Sequence, residues 1–140
     1  MTCRGVRGAT TAESNDREAI LEATRQLLAL MVRHNSIDRH DLASAFFTVT
    51  RDLDAEFPAL AARQIGWSDV PLLCGYEMAV PGSLGRCIRV LLHWNTEKQA
   101  SEIHHVYARG AEKLRPDLAQ IPEVNLEELE KWINEQMGEN

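Results

Sequence analysis

One arginine in this chain lies in an apolar segment, where its charge requires a partner of opposite sign. The run Cys87-Ile88-Arg89-Val90-Leu91-Leu92 has the composition of a buried β-strand, with Arg89 in its middle. A guanidinium group stays charged at cellular pH, and burying it without a partner is costly. We therefore expect an anion at Arg89, and the nearest candidate in sequence is Glu77, in Cys74-Gly75-Tyr76-Glu77-Met78.

Two further arginines extend this pattern. Arg7 lies in another strand-like run, residues 3–11, and Arg115 stands between a leucine and a proline. Arginines on separate sheet-like segments, with one carboxylate among them, indicate a pocket for a small polyanion. A purely structural interpretation also remains open, in which Arg89 and Glu77 form an ion pair inside the sheet and Arg7 is an ordinary surface charge.

Composition limits the classes of protein to consider. The chain has 140 residues, enough for one domain, and a net charge of −6, which argues against a nucleic-acid or anionic-membrane surface. Three cysteines without CxxC spacing favour reduced thiols and a cytosolic setting. We see no secretory signal, and no apolar run approaches the roughly 20 residues of a membrane span. We expect a cytoplasmic protein with no nucleic-acid or membrane partner.

Nucleophilic and metal chemistry find little support. Cys74 has no histidine within a few residues, and a cysteine on a strand is usually an inert apolar group, so we reject covalent catalysis. His104 and His105 are adjacent and would point to opposite faces of a strand, which is poor geometry for joint ligation. We therefore predict no metal site.

The elements that must position these residues follow from hydrophobic spacing. Asn15, with Glu18 three residues later, forms a capping-box pattern that starts a long amphipathic helix over residues 16–34. A short helix over residues 58–64 ends at Gly66. Strands are predicted at residues 3–11, 45–50, 70–76 and 86–94, and an extended segment from Val106 to near Leu114. Pro71 predicts an edge position for the third strand, and Phe46 and Phe47 should face opposite sides.

A C-terminal segment is set apart by Pro122. Asn125 with Glu128 repeats the capping pattern, and apolar residues then recur at helical spacing at Leu126, Leu129, Ile133 and Met137. We predict a main domain over residues 1–121 and an acidic amphipathic helical extension over residues 122–140.

Several short motifs keep a common order and nearly common spacing from Arg4 to Leu118. They are Arg4-Gly5-Val6-Arg7-Gly8-Ala9-Thr10-Thr11, Phe57-Pro58-Ala59, Arg63, Gly66-Trp67, Val70-Pro71, Cys74, Glu77-Met78, Cys87-Ile88-Arg89-Val90, His105-Val106-Tyr107 and Leu114-Arg115-Pro116-Asp117-Leu118. In these motifs the chain resembles the small α/β chorismate mutases of bacteria. It departs from well-known members at Leu60, where they carry lysine, and by one missing residue between Arg63 and Gly66.

The resemblance implies an α+β fold in which a mixed sheet packs against one long amphipathic helix. It also implies a homotrimer, a pseudo-barrel with active sites between neighbouring subunits. The implied reaction is the Claisen rearrangement of chorismate to prephenate, on the branch to phenylalanine and tyrosine. This concerted step needs no nucleophile, general base or cofactor, so we expect none.

The resemblance also implies roles for individual residues. Arg89 would stabilise the negative charge that develops on the ether oxygen, and Glu77 would orient Arg89 and contact the substrate hydroxyl. Arg7 and Tyr107 would hold a carboxylate of the chorismate dianion. The pocket wall would be shaped by Phe57, Ala59, Cys74 and Leu114, with Arg63 and Arg115 near its mouth.

Two other functions stay open at this point. The chain could be a non-catalytic module that senses an anion of the aromatic pathway. It could also be a related trimeric α/β protein that acts on small imine or carbonyl metabolites with an interface arginine. Loss of chorismate absorbance on incubation with the protein would separate these three functions.

Overall fold

A computed structural model describes residues 1–118 and 125–138. Within these residues one five-stranded sheet has the strand order β3-β2-β4-β1-β5. The strands are β1 (Thr2–Thr11), β2 (Leu42–Val49), β3 (Leu72–Tyr76), β4 (Cys87–Thr96) and β5 (Val106–Tyr107), and the helices are α1 (Arg17–Asn35), α2 (Ala59–Gln64) and α3 (Leu126–Gly138). Each predicted strand and helix is present, within a few residues of its predicted bounds.

The sheet is mixed, as expected. Strand β4 lies at its centre and pairs antiparallel with β1 and β2, while β3 and β5 pair parallel with β2 and β1 at the two edges. The edge position of β3 confirms what Pro71 predicted, since proline cannot donate a hydrogen bond to a ladder. The fold belongs to the α+β class.

One face of the sheet is covered by α1. The apolar stripe of this helix packs on inward-facing residues of the central strands, and both sets are fully buried, among them Leu27, Leu28, Met31, Phe47 and Leu92. Apolar burial of about 25 cal/mol per Å² makes this layer the main source of stability. The helix approaches β1 closely at Gly8, where a Cβ atom would collide with the Met31 side chain.

The start of α1 differs from the prediction by one residue. Asp16, not Asn15, is the N-cap, and its carboxylate accepts a hydrogen bond of 2.9 Å from the Ala19 N–H. The Asn15 side chain instead accepts from the backbone N–H groups of Asp54 and Ala55, at 3.0 and 3.1 Å. Both residue types cap helices well, and the contact with the loop before α2 decides between them.

The segment after β5 also differs from the prediction. The chain does not stay extended to Leu114, because it turns at Arg109, whose φ is +52°, into a 3₁₀ helix over Arg109–Leu114. The Gly110 N–H donates to Thr11 Oγ1 at 3.1 Å, and the Arg109 guanidinium donates to Gln26 at 2.7 Å. These bonds fold the chain back over the end of β1.

The second face of the sheet is open in the single chain. Cross-strand neighbours Leu91, Phe46 and Leu73 keep 38%, 42% and 57% of their surface exposed. Phe47 is buried on the opposite face, which confirms that the two phenylalanines point apart. The prediction of a buried Arg89 is wrong for the single chain: strand alternation puts its side chain on this open face, 46% exposed.

The C-terminal helix α3 packs against α1. Leu129 and Ile133 are buried in the same hydrophobic cluster as the α1 stripe, and Glu128 pairs with Arg33 at 2.5 Å. Asn125 accepts from the Glu128 N–H at 3.1 Å, which confirms the predicted cap. Leu126, a member of the predicted apolar stripe, is 64% exposed and is not part of this buried contact.

The predicted boundary at Pro122 falls outside the described residues. Among the residues that are described, no helix is long and apolar enough to cross a membrane.

Candidate active site

A row of side chains crosses the open face of the sheet. Tyr107 on β5 pairs with Ala9, Ala9 with Arg89 on β4, and Arg89 with Thr48 on β2. Paired residues of neighbouring strands point to the same face, so this register brings side chains of four strands, β5, β1, β4 and β2, to one place. Together with Arg7, two residues before Ala9, they line a cavity of about 270 Å³.

Arg89 and Glu77 form the ion pair that the sequence predicted. The Arg89 Nε lies 2.7 Å from Glu77 Oε2, with the two side chains 46% and 26% exposed. Glu77 follows directly after β3, where its backbone N–H donates to the Val49 carbonyl at 2.9 Å. The pair orients a full positive charge at the cavity. A side-chain carboxylate on one nitrogen also restricts rotation of the planar guanidinium group.

Glu77 has a second partner that sequence analysis did not identify. The Thr48 hydroxyl donates to the same oxygen, Oε2, at 3.2 Å. Its only sequence signal is a polar residue on the open-face side of β2, two positions after Phe46.

The Arg7 and Tyr107 side of the cavity is built from β1 and β5. Tyr107 is buried against Ala9 and Ala111, with Leu114 packed beside them. The Arg7 N–H donates to His105 Nδ1 at 2.9 Å, so a side chain extends the short parallel ladder by one bond. Burial lowers the pKa of His105, and the Arg7 and Arg115 charges lower it further. His105 therefore stays neutral at physiological pH, as its acceptor role requires.

Arg115 lies at the rim of the same group. It pairs with Asp117 at 2.9 Å, and this hydrogen bond holds the pKa of the Asp117 carboxyl below its usual value, with a smaller contribution from the Arg7 charge. The Arg115 side chain is 39% exposed and that of Asp117 63%, so the pair contributes little to stability.

The remaining predicted site residues gather elsewhere. Phe57 and Cys74 line a separate cavity of about 370 Å³, between the loop before α2 and the end of β3. A hydrogen bond with the Ala59 backbone and the charge of Arg63 both act to lower the pKa of the Cys74 thiol. These two residues of α2 therefore lie close to Cys74. Burial raises the pKa of Cys74, which keeps it a protonated thiol at neutral pH and a poor nucleophile.

The single chain thus divides the ten predicted site residues into two groups. The arginine group has Arg89, Glu77, Arg7, Tyr107, Leu114 and Arg115. The wall group has Phe57, Ala59, Cys74 and Arg63. The two cavities share no lining residue among those that the structure describes. In the described part of the chain, no cluster of three histidine, cysteine or acidic side chains could hold a metal ion.

Comparison with known proteins identifies the family of the chain. A family model described as chorismate mutase type I matches residues 3–118. The chorismate mutase AroH of Thermus thermophilus is 54% identical over 116 residues, which cover 82% of this chain and 95% of that protein. The chorismate mutase AroH of Bacillus subtilis is 42% identical over 120 residues, 85% of this chain and 94% of that protein.

A solved structure agrees with these relatives. A chorismate mutase from Clostridium thermocellum is 47% identical and matches the fold with a TM-score of 0.78, over 79% of this chain and 98% of that one. The helix α3 lies beyond the family match, which ends at residue 118. The chain therefore belongs to the type I chorismate mutase family.

Proposed function

We propose that this chorismate mutase, an isomerase, rearranges chorismate to prephenate with Arg89 as the cation that meets the ether oxygen. In the reaction one C–O bond breaks while one C–C bond forms within the same molecule. Negative charge grows on the ether oxygen only as the C–O bond breaks. A fixed positive charge at that oxygen therefore stabilises the transition state more than the bound substrate.

The single observation that carries this proposal is the Arg89–Glu77 pair. Its 2.7 Å contact directs the guanidinium toward the cavity that Arg89 lines. A preorganised charge does not have to reorganise during the reaction, which is the condition for electrostatic catalysis. With Oε2 of Glu77 engaged by Arg89, the second oxygen remains to accept a hydrogen bond from the substrate hydroxyl.

The other task is to hold a flexible dianion in a compact, chair-like conformer. Arg7 and Tyr107 line the cavity that Arg89 faces, and we assign them one substrate carboxylate. Arg115, at the rim, would exchange Asp117 for substrate as the pocket fills. Restricting the conformer removes an entropic part of the barrier, because the reacting carbons are brought together before the bond forms.

We further propose that the protein is a homotrimer whose active sites lie between subunits. Two features support this. The arginine group and the wall group lie in separate cavities of one chain, so one neighbour would bring its Phe57, Ala59, Cys74 and Arg63 to the Arg89 of the next. The exposed apolar row of Phe46, Leu73 and Leu91 is the kind of surface that subunit contact covers.

A cytosolic location is part of the same proposal. Cys3, Cys74 and Cys87 are all free thiols, as expected for a reducing compartment.

The test is conversion of chorismate, followed by loss of its absorbance and by appearance of prephenate. We expect turnover by the wild-type protein and almost none by a folded Arg89→Ala variant. Binding of chorismate without turnover would instead support the non-catalytic sensor. Turnover of imine or carbonyl metabolites but not chorismate would support the related trimeric fold.

A further inference from the structure

The catalytic ion pair has a third member, which lies on the strand beside Arg89. Thr48 on β2 is the register partner of Arg89 on β4, and its side chain lines the same cavity. Its hydroxyl donates to Glu77 Oε2 at 3.2 Å, the same oxygen that lies 2.7 Å from Arg89 Nε. Two donors from adjacent strands therefore converge on one carboxylate oxygen.

Glu77 needs such support because, in the part of the chain that the structure describes, little besides Arg89 holds its side chain. It comes from the end of the edge strand β3, just before a loop whose residues are mostly exposed. A glutamate side chain has three rotatable bonds, and a single contact to Arg89 would leave both partners able to swing together. A second donor from the rigid strand β2 ties the carboxylate to the sheet.

We propose that Thr48 is a positioning residue for the rearrangement. Its hydroxyl holds Glu77, and through Glu77 it keeps the Arg89 guanidinium aligned with the ether oxygen. The hydroxyl need not touch the substrate. The proposal rests on the function assigned to Arg89 above and adds to it a residue on β2 that the sheet register brings to the pair.

The competing interpretation is that Thr48 is only a good strand residue. Threonine is β-branched, fits a pleated surface, and satisfies its hydroxyl with any nearby acceptor. The two interpretations differ in which atom matters. Positioning needs the hydroxyl oxygen, whereas strand packing needs the branched shape. Thr48→Val keeps the shape and removes the hydroxyl, while Thr48→Ser keeps the hydroxyl and removes the methyl group.

The experiment compares kcat, KM and thermal stability of the wild type, Thr48→Val and Thr48→Ser. We expect Thr48→Val to lower kcat about tenfold, the typical effect of losing a hydrogen bond to a charged group, with KM changed less than kcat. Thr48→Ser should keep most of the wild-type kcat even if its melting temperature is lower. Thr2→Val, at the distant end of β1, is the matched control and should leave kcat unchanged.

A second comparison shows whether Thr48 acts through Glu77. In a Glu77→Ala background, adding Thr48→Val should cost almost nothing further in kcat, because the group it positions is gone. A tenfold loss that persists there would overturn the route through Glu77. Unchanged kcat in Thr48→Val, or equal losses in the valine and serine variants, would overturn the positioning role itself.

The same assays separate this inference from the proposed function. If the wild type turns over chorismate and Arg89→Ala does not, an unchanged kcat in Thr48→Val refutes only the role of Thr48. If the wild type does not turn over chorismate at all, both proposals fall together.

Discussion

The two faces of the sheet are built from the same strands but have different roles, one forming the core and the other holding the candidate site. On β4, Leu92 points under α1 into the closed core, while its neighbour Leu91 and Arg89 point to the open face. The apolar side chains of the covered face are buried by α1 of the same chain. The open face holds the ion pair, the cavity and an exposed apolar row, and contains only part of the predicted site. Stability and chemistry are therefore separated by strand alternation, residue by residue.

The largest expected effect is on the open face, at Arg89. Arg89→Ala should lower kcat about a thousandfold, since losing one preorganised donor typically costs about 3–4 kcal/mol of transition-state stabilisation. The fold should survive, because the side chain is half exposed. Arg89→Lys should recover little, because an ammonium group lacks the planar fork. Arg7→Ala should instead raise KM. A drop of less than about tenfold in kcat for folded Arg89→Ala would leave that residue a structural ion-pair partner.

Neighbouring leucines on β4 sharpen the comparison of the two faces. Leu92→Ala should lower the free energy of unfolding by about 2–5 kcal/mol, because it opens a cavity under α1. The kcat of the remaining folded protein should change little. Leu91→Ala, its matched control on the open face, should leave the core of each chain intact and weaken assembly instead. Chemical denaturation and light scattering measure the two effects. Equal loss of chain stability in both variants would refute the division between faces.

Removing α3 tests whether the covered layer extends beyond the family region. A chain ending near Ile121 should keep turnover within about twofold, since α3 packs mainly on α1, on the covered side of the sheet. It should lose roughly 1–3 kcal/mol of stability, because the burial of Leu129 and Ile133 is offset by the entropy of ordering the helix. A folded truncation without turnover would show that α3 takes part in the site.

A small effect on kcat is also expected at the wall residue Cys74. Cys74→Ser should keep kcat within about threefold, because the mechanism uses no nucleophile and burial already raises the pKa of this thiol. Loss of all turnover in a folded variant, or a covalent adduct detected by mass spectrometry, would contradict a concerted rearrangement.

The covered face is the part that sequence reasoning predicts well. Helical spacing identifies the α1 stripe, and the apolar runs identify the strands that it covers. The same reasoning fails at Arg89, because the run from Cys87 to Leu92 is apolar enough to indicate burial on both faces. Its outward-facing leucine is exposed in one chain, and periodicity cannot distinguish a surface kept for a neighbour from a buried one.

Local competition explains the other errors. Asn15 and Asp16 are adjacent and both cap helices, and only the position of the loop at Asp54 selects Asp16 as the cap. The turn at Arg109 depends on hydrogen bonds to residues about 80 to 100 positions earlier. For the site, spacing alone indicated an arginine–carboxylate pair, while the roles of Tyr107 and the wall residues came from family resemblance. Neither identified Thr48, whose significance appears only in the register of β2 against β4.

The most direct test of the account asks whether one active site uses both groups from different copies of the chain. Arg89→Ala disables the arginine group, and Phe57→Asp places a negative charge in the exposed wall of the other cavity, against a dianionic substrate. Each variant alone should be nearly inactive. The two variants, carrying different tags, would be co-expressed and purified through both tags in sequence, so that every assembly contains both.

In a trimeric ring with both kinds of subunit, one of the three interfaces joins an intact arginine group to an intact wall group. We therefore predict about a third of the wild-type activity in the doubly tagged fraction, from two parents that have almost none. Activity no higher than that of the parents, in confirmed mixed trimers, would mean that each chain closes its own site and would contradict the account.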